Sequence, residues 1–151
     1  MLEKAILLAK KAHQGQVDKG GQPYFLHLLR VMESCETEEE KITALLHDTL
    51  EDTALTLDDL RKAGFSENVL EAIVCLTRGE EDYMAYIEGV CRNPLASAVK
   101  AADLTDNMDL SRIPNPAERD FVRLEKYKKA RKRIEEARKG EPHGKLDKRK
   151  I

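Results

Sequence analysis

"ALLHDTLED", residues Ala44 to Asp52, decides how this chain is read. It opens apolar, then sets one imidazole and three carboxylates within six residues: His47, Asp48, Glu51 and Asp52. Ionisable groups beside apolar neighbours are costly unless something satisfies them. On a helix, positions i, i+1, i+4 and i+5 share one broad face. The four groups occupy such positions, while Leu45, Leu46 and Leu50 flank them and can turn to a core. An adjacent His-Asp pair at a buried helix end suits one divalent cation. Glu51 and Asp52, one turn on, lie within reach of a water beside it.

An imidazole and a carboxylate are too few for tight binding, so further ligands must come from elsewhere. Two candidates stand out. His27 lies in the apolar helical stretch "PYFLHLL", and Asp103 in "SAVKAADLTDNMDL". Asn107 is one turn beyond Asp103, and Lys100 nearly one turn before it. Two His and two Asp form a mixed nitrogen and oxygen set. That suits Mn²⁺, Fe²⁺ or Zn²⁺ with water completing the shell, and not a Cys-based structural zinc site. His13, beside a Gly-rich loop, is expected to hydrogen-bond backbone there rather than ligate.

Composition supports a helical frame for this cluster. The 151 residues suggest one domain with a core of its own. Charged residues make up 36% and aromatics 5%, with little Gly or Pro and no strand-like run. A net charge of −2 gives no global argument for nucleic-acid or membrane binding. Cys35, Cys75 and Cys91 form no CxxC pair and are expected as reduced thiols buried in the core. The amphipathic Met1–His13 does not read as a leader, and no apolar run has membrane-spanning length. The expectation is a cytoplasmic protein.

Periodicity and capping predict an all-α, irregular bundle of seven or eight helices. The segments are Leu2–Gln14, Tyr24–Cys35 behind Pro23, and one helix from a Thr37/Glu40 capping box to about Asp52. A Thr56/Asp59 box starts the next, ending at Gly64, and Ser66 caps another that ends near Arg78. Asp82–Arg92, a helix from Pro94 to about Leu110, and a long charged Ala117–Lys139 helix complete it. Residues 1–140 make the domain, and 141–151 a basic tail.

"AHQGQ…GGQPYFLHLLRV", "ALLHDTLEDT" and "VKAADLTDNMDLSR" together resemble the HD-domain metal-dependent phosphohydrolases. The branch they resemble is the hydrolase domain of the Rel/SpoT alarmone enzymes and their small stand-alone relatives, the metazoan SpoT homologue among them. The motifs stand in family order from about Leu2 to Lys129. The resemblance implies an HD fold and one Mn²⁺ held by His27, His47, Asp48 and Asp103. It implies that Glu51 and Asp52 position the attacking water and handle its proton. It places Asn107 at the nucleotide's sugar-phosphate region, Lys19 near the base, and Arg123 and Tyr127 on the phosphates. The chain departs from the family pattern at Asp18, Leu28, Leu104 and Asp106, which bears on base recognition.

The expected function is hydrolysis of a nucleotide phosphoester, in alarmone chemistry the 3′-pyrophosphate of ppGpp or pppGpp. Lys100, Arg112 and Arg123 are candidates to neutralise phosphate charge. No residues remain for a synthetase domain, so no pyrophosphokinase activity is expected. A second reading keeps the site and changes the substrate to another nucleotide or a nicotinamide dinucleotide phosphate. A third makes the protein a non-catalytic scaffold with the charged last helix as partner surface, solvated beyond Lys128. The expected partner is a small-molecule nucleotide, with no nucleic acid and no membrane. Apolar helix faces are compatible with a homodimer.

Overall fold

The computed structural model describes residues 1–140. The predicted basic tail, 141–151, lies outside them. The described residues form nine α-helices, no strand, and one isolated antiparallel bridge between Val17 and Pro23. The helices are α1 (Leu2–Ala12), α2 (Tyr24–Glu33), α3 (Glu38–Leu46), α4 (Thr49–Asp52), α5 (Leu57–Lys62), α6 (Glu67–Leu76), α7 (Tyr83–Cys91), α8 (Pro94–Asn107) and α9 (Glu118–Lys139). A 3₁₀ turn, Leu110–Arg112, links α8 to α9.

Caps set many of the boundaries. Both predicted boxes are present: Thr37 with Glu40 opens α3, and Thr56 with Asp59 opens α5. Ser66, Asp82 and Asn93 accept the first amides of α6, α7 and α8. Gly64, at φ +100°, supplies the left-handed residue after α5.

The central element is α3. Ile42 to Leu46 are all buried, so the helix is apolar all round, as a helix enclosed by others must be. It packs on α1, α2, α6 and α8. One apolar cluster gathers Leu28, Leu45, Leu46, Leu60, Leu70 and Ile73. A second gathers Val31, Ala44, Leu76, Ile87, Val99 and Leu104. His27, His47 and Asp103 adjoin members of these clusters in sequence, which commits them to the interior.

Three expectations need correction. The helix expected from Thr37 to about Asp52 breaks at His47–Asp48, where Asp48 takes φ −100°, ψ 1°. The Ala44 carbonyl accepts from His47 Nδ1 (2.6 Å), and the Leu46 carbonyl from the Thr49 hydroxyl (2.7 Å). Side-chain donors thus take over at the interruption, and the count rises to nine. Second, α9 is not simply solvated beyond Lys128: Ala130 and Ile134 are fully buried against the second cluster, and Arg133 forks onto Glu88 of α7 at 2.6 and 2.9 Å. Third, only Cys35 is buried, Cys75 and Cys91 being half-exposed, although all three are free thiols.

Among the described residues, no helix is long and apolar enough to cross a membrane.

Candidate metal centre

The helix interruption places His47 at the C-terminus of α3 and Asp48 at the start of α4. His27 comes from the middle of α2, and Asp103 from the last turn of α8. His27, His47 and Asp103 are buried and converge, each offering a ligand atom within 4.8 Å of the others. His27 Nε2 is 2.9 Å from Asp103 Oδ1, and His47 Nε2 is 3.4 Å from the same oxygen. Asp48 stands beside them, its Oδ2 at 3.3 Å from His47 Nε2. That oxygen also accepts the Tyr24 hydroxyl.

The ring nitrogens show how this site fits a cation. His47 Nδ1 faces the Ala44 carbonyl, which can only accept, so Nδ1 carries the hydrogen. Nε2 is then left bare, buried, and without a hydrogen-bond partner among the described residues. A buried orphan nitrogen facing two carboxylates calls for a positive charge between them. His27 repeats the pattern, its Nδ1 lying 2.7 Å from Asp106 Oδ2. The donor set, two imidazoles and nearby carboxylates, suits a divalent metal.

Protons take the place of that charge in the metal-free site. Burial alone would depress His47, yet Asp48 and Asp103 push it up to about 9. His27 is raised as well: its bond to Asp103 and that group's charge outweigh burial. Burial would raise Asp103, but Lys100 and the two imidazoles hold it well below the usual carboxylate range. An imidazole raised in the folded state stabilises the fold fully below its ordinary 6.5, and that contribution is lost as pH rises through about 9. Metal-free protein is therefore expected to melt lower at pH 9 than at pH 6.5. The difference is at most roughly 3 kcal/mol for His47, at about 1.4 kcal/mol per unit. A divalent metal displaces these protons, so its own stabilisation grows over the same window. Thermal melts with chelator and with metal, from pH 6 to 9.5, check both signs.

A cleft of about 270 Å³ opens beside His27. Of the residues expected to meet substrate, Lys19, Asn107, Arg123 and Tyr127 all line it. Lys100 does not. Its ammonium is 3.0 Å from Asp103 Oδ2 and 5.4 Å from the Tyr86 ring centroid. Arg112 lines the cleft but pairs with Asp106 and Asp109. Asn107 also donates to Asp103 Oδ1 at 3.3 Å.

The two acids after the His-Asp pair diverge. Glu51 accepts the Arg78 backbone amide at 2.6 Å. The Asp52 carboxyl is raised by partial burial and by Asp48's charge, against His13 and His47, so it faces the site electrostatically. The broad helix face expected for all four groups does not survive the break at Asp48.

Three helices thus aim His and Asp side chains at one point beneath a cleft lined by cations. No family model matches the chain. It is 32% identical over 126 residues to a GTP pyrophosphokinase of Myxococcus xanthus, covering 72% of this chain and 17% of that protein. It is 31% identical over 120 residues to the guanosine-3′,5′-bis(diphosphate) 3′-pyrophosphohydrolase of Aquifex aeolicus, covering 71% and 17%. It is 30% identical over 125 residues to the bifunctional (p)ppGpp synthase/hydrolase SpoT of Escherichia coli, again covering 71% and 17%. The chain is a SpoT/Rel homologue. It spans about a sixth of the length of these relatives. A solved structure, described as a metazoan SpoT orthologue that hydrolyses ppGpp, superposes with a TM-score of 0.74 at 23% identity. The match covers 92% of this chain and 85% of that one, and shows a shared helical fold.

In this SpoT/Rel homologue, several site residues were not singled out as functional from sequence. Tyr24 and Arg30 lie three residues either side of His27 on α2, so helical spacing alone could have found them. Asp106 stands three after Asp103 and contacts His27 across the helix pair. His13 is buried, and its Nδ1 pairs with the Gln16 side chain (2.8 Å) and not with backbone as expected. Asp18 lines the cleft, but its carboxylate is committed to its own loop. Its Oδ1 accepts the amides of Gly20 and Gln22 at 2.9 and 3.0 Å, closing the loop. Gly20 is needed there, since a Cβ would lie 2.4 Å from the Arg112 carbonyl oxygen. Leu104 is fully buried in the core.

Proposed function

We propose that this chain is a Mn²⁺-dependent nucleotide phosphohydrolase that removes the 3′-pyrophosphate of ppGpp or pppGpp. The observation that carries the reading is the buried His47 Nε2, without a hydrogen-bond partner among the described residues, facing Asp48 and Asp103 beside the cation-lined cleft. The names of the SpoT/Rel relatives support the same chemistry.

In this reading His27, His47, Asp48 and Asp103 hold the ion. When bound, the ion supplies Lewis-acid polarisation of a phosphoryl oxygen and acidifies water. Asp52 takes the proton from the attacking water, and Glu51 fixes the α4 end through the Arg78 amide. Tyr24, whose phenol is kept protonated by burial and by Asp48, orients the Asp48 carboxylate. Arg123, Tyr127, Lys19 and Asn107 face the nucleotide from the cleft. Lys100 acts through Asp103, holding its second oxygen rather than a phosphate.

Asp18 and Leu104 favour a second substrate reading within the same chemistry. The two positions where the family pattern carries cations hold a loop-closing carboxylate and a core leucine. A nucleotide panel with Mn²⁺ decides between them, scored by released phosphate and pyrophosphate. The expected result is pyrophosphate release from ppGpp and pppGpp. Phosphate release from a nicotinamide dinucleotide phosphate, with ppGpp untouched, would replace the alarmone reading.

A further inference from the structure

His47 fixes its outer nitrogen on backbone, but His27 fixes its own on a side chain. That side chain, Asp106, is itself held on several sides. Arg30 Nε reaches its Oδ1 at 2.8 Å, and Arg30 Nη2 its Oδ2 at 3.2 Å. Arg112 Nη2 lies 3.3 Å from Oδ2 and donates to the Asp106 carbonyl at 3.2 Å. The Asp106 side chain is only 13% exposed. The cluster thereby ties α2, α8 and the 3₁₀ turn together around one imidazole.

An ionised carboxylate only accepts, so His27 Nδ1 carries a hydrogen toward Asp106, which leaves Nε2 as the nitrogen that can exchange its proton for a cation. Nε2 is the nitrogen aimed at Asp103, 2.9 Å away. A carboxylate on the outer nitrogen also strengthens an imidazole as a ligand. We propose that Asp106, clamped by Arg30 and Arg112, is a positioning residue that holds His27 with Nε2 open to a divalent cation. The inference rests on the metal-centre reading above and extends it to Asp106 and Arg30, and to Arg112 in place of a phosphate-binding role.

The test is Mn²⁺ titration of the full-length wild type, Asp106→Ala and Asp106→Asn, with proton NMR of the Zn²⁺-loaded forms. Asp106→Ala is expected to weaken Mn²⁺ binding by about 10- to 100-fold, the range for such outer partners. It should also lose the exchange-protected His27 Nδ1–H signal. Asp106→Asn keeps an accepting oxygen, so it should retain that signal and weaken binding less. A clamp that only braces the helices would lower the melting temperature and leave Mn²⁺ affinity at the wild-type value. That result in both variants overturns the inference. If the alanine variant does not fold, the asparagine variant decides alone: weaker binding supports the proposal, and wild-type binding overturns it. A wild type that binds no Mn²⁺ overturns the metal-centre reading itself, and this inference with it.

Discussion

Asp103→Ala is expected to abolish stoichiometric metal binding and to lower turnover by at least about 1,000-fold, the scale on which loss of an essential catalytic part is read. Asp103 touches both imidazoles of the candidate centre. Its Oδ1 meets His27, His47 and Asn107, and its Oδ2 meets Lys100. Alanine leaves a buried ammonium and two imidazoles facing one another without a counter-charge, so stability should fall as well. Asp103→Asn separates the effects, since it keeps the shape and an accepting oxygen but drops the charge. Metal content by elemental analysis and single-turnover rates check the pair. An alanine variant that still carried one equivalent of metal would remove Asp103 from the ligand set.

The second large effect separates the two acids of α4. Asp52→Asn is expected to keep the metal and reduce kcat by about 10²- to 10⁴-fold, as loss of a general base does. Glu51→Gln should lose much less, because the amide oxygen can still accept the Arg78 backbone N–H. The asymmetry follows from their neighbours: adjacent positions of α4 point in different directions, Glu51 to the Arg78 amide and Asp52 within the field of Asp48 and His47. Metal content and kcat measured on both variants check it. A metal-loaded Glu51→Gln with almost no turnover, beside an active Asp52→Asn, would reverse the assignment.

Particular residues show how far the sequence could be read. The capping boxes at Thr37 and Thr56 were legible because their bonds close within four residues. The convergence of His27 and Asp103 with His47 was suggested by their apolar surroundings, since a lone polar group in a core needs a partner. The role of Lys100 was not legible. Its spacing to Asp103 was visible, but whether an ammonium turns to a carboxylate or to a cleft depends on which rotamer the packing leaves open. Asp106 read as a mere departure from a motif, because its partners Arg30 and His27 are more than 70 residues away.

The sequence by itself determined the all-helical class, most of the helix starts, and the residue types of the candidate metal centre. These depend on periodicity, local capping and the cost of burying a charge, all of which act over short stretches of chain. Only the tertiary structure decided the interruption at His47–Asp48, the divergence of Glu51 from Asp52, and the clamp on His27. The last two rest on bonds between groups distant in sequence, Glu51 with the Arg78 amide and Asp106 with His27 and Arg30. The bonds at the interruption close within three residues, in a helix buried by its neighbours.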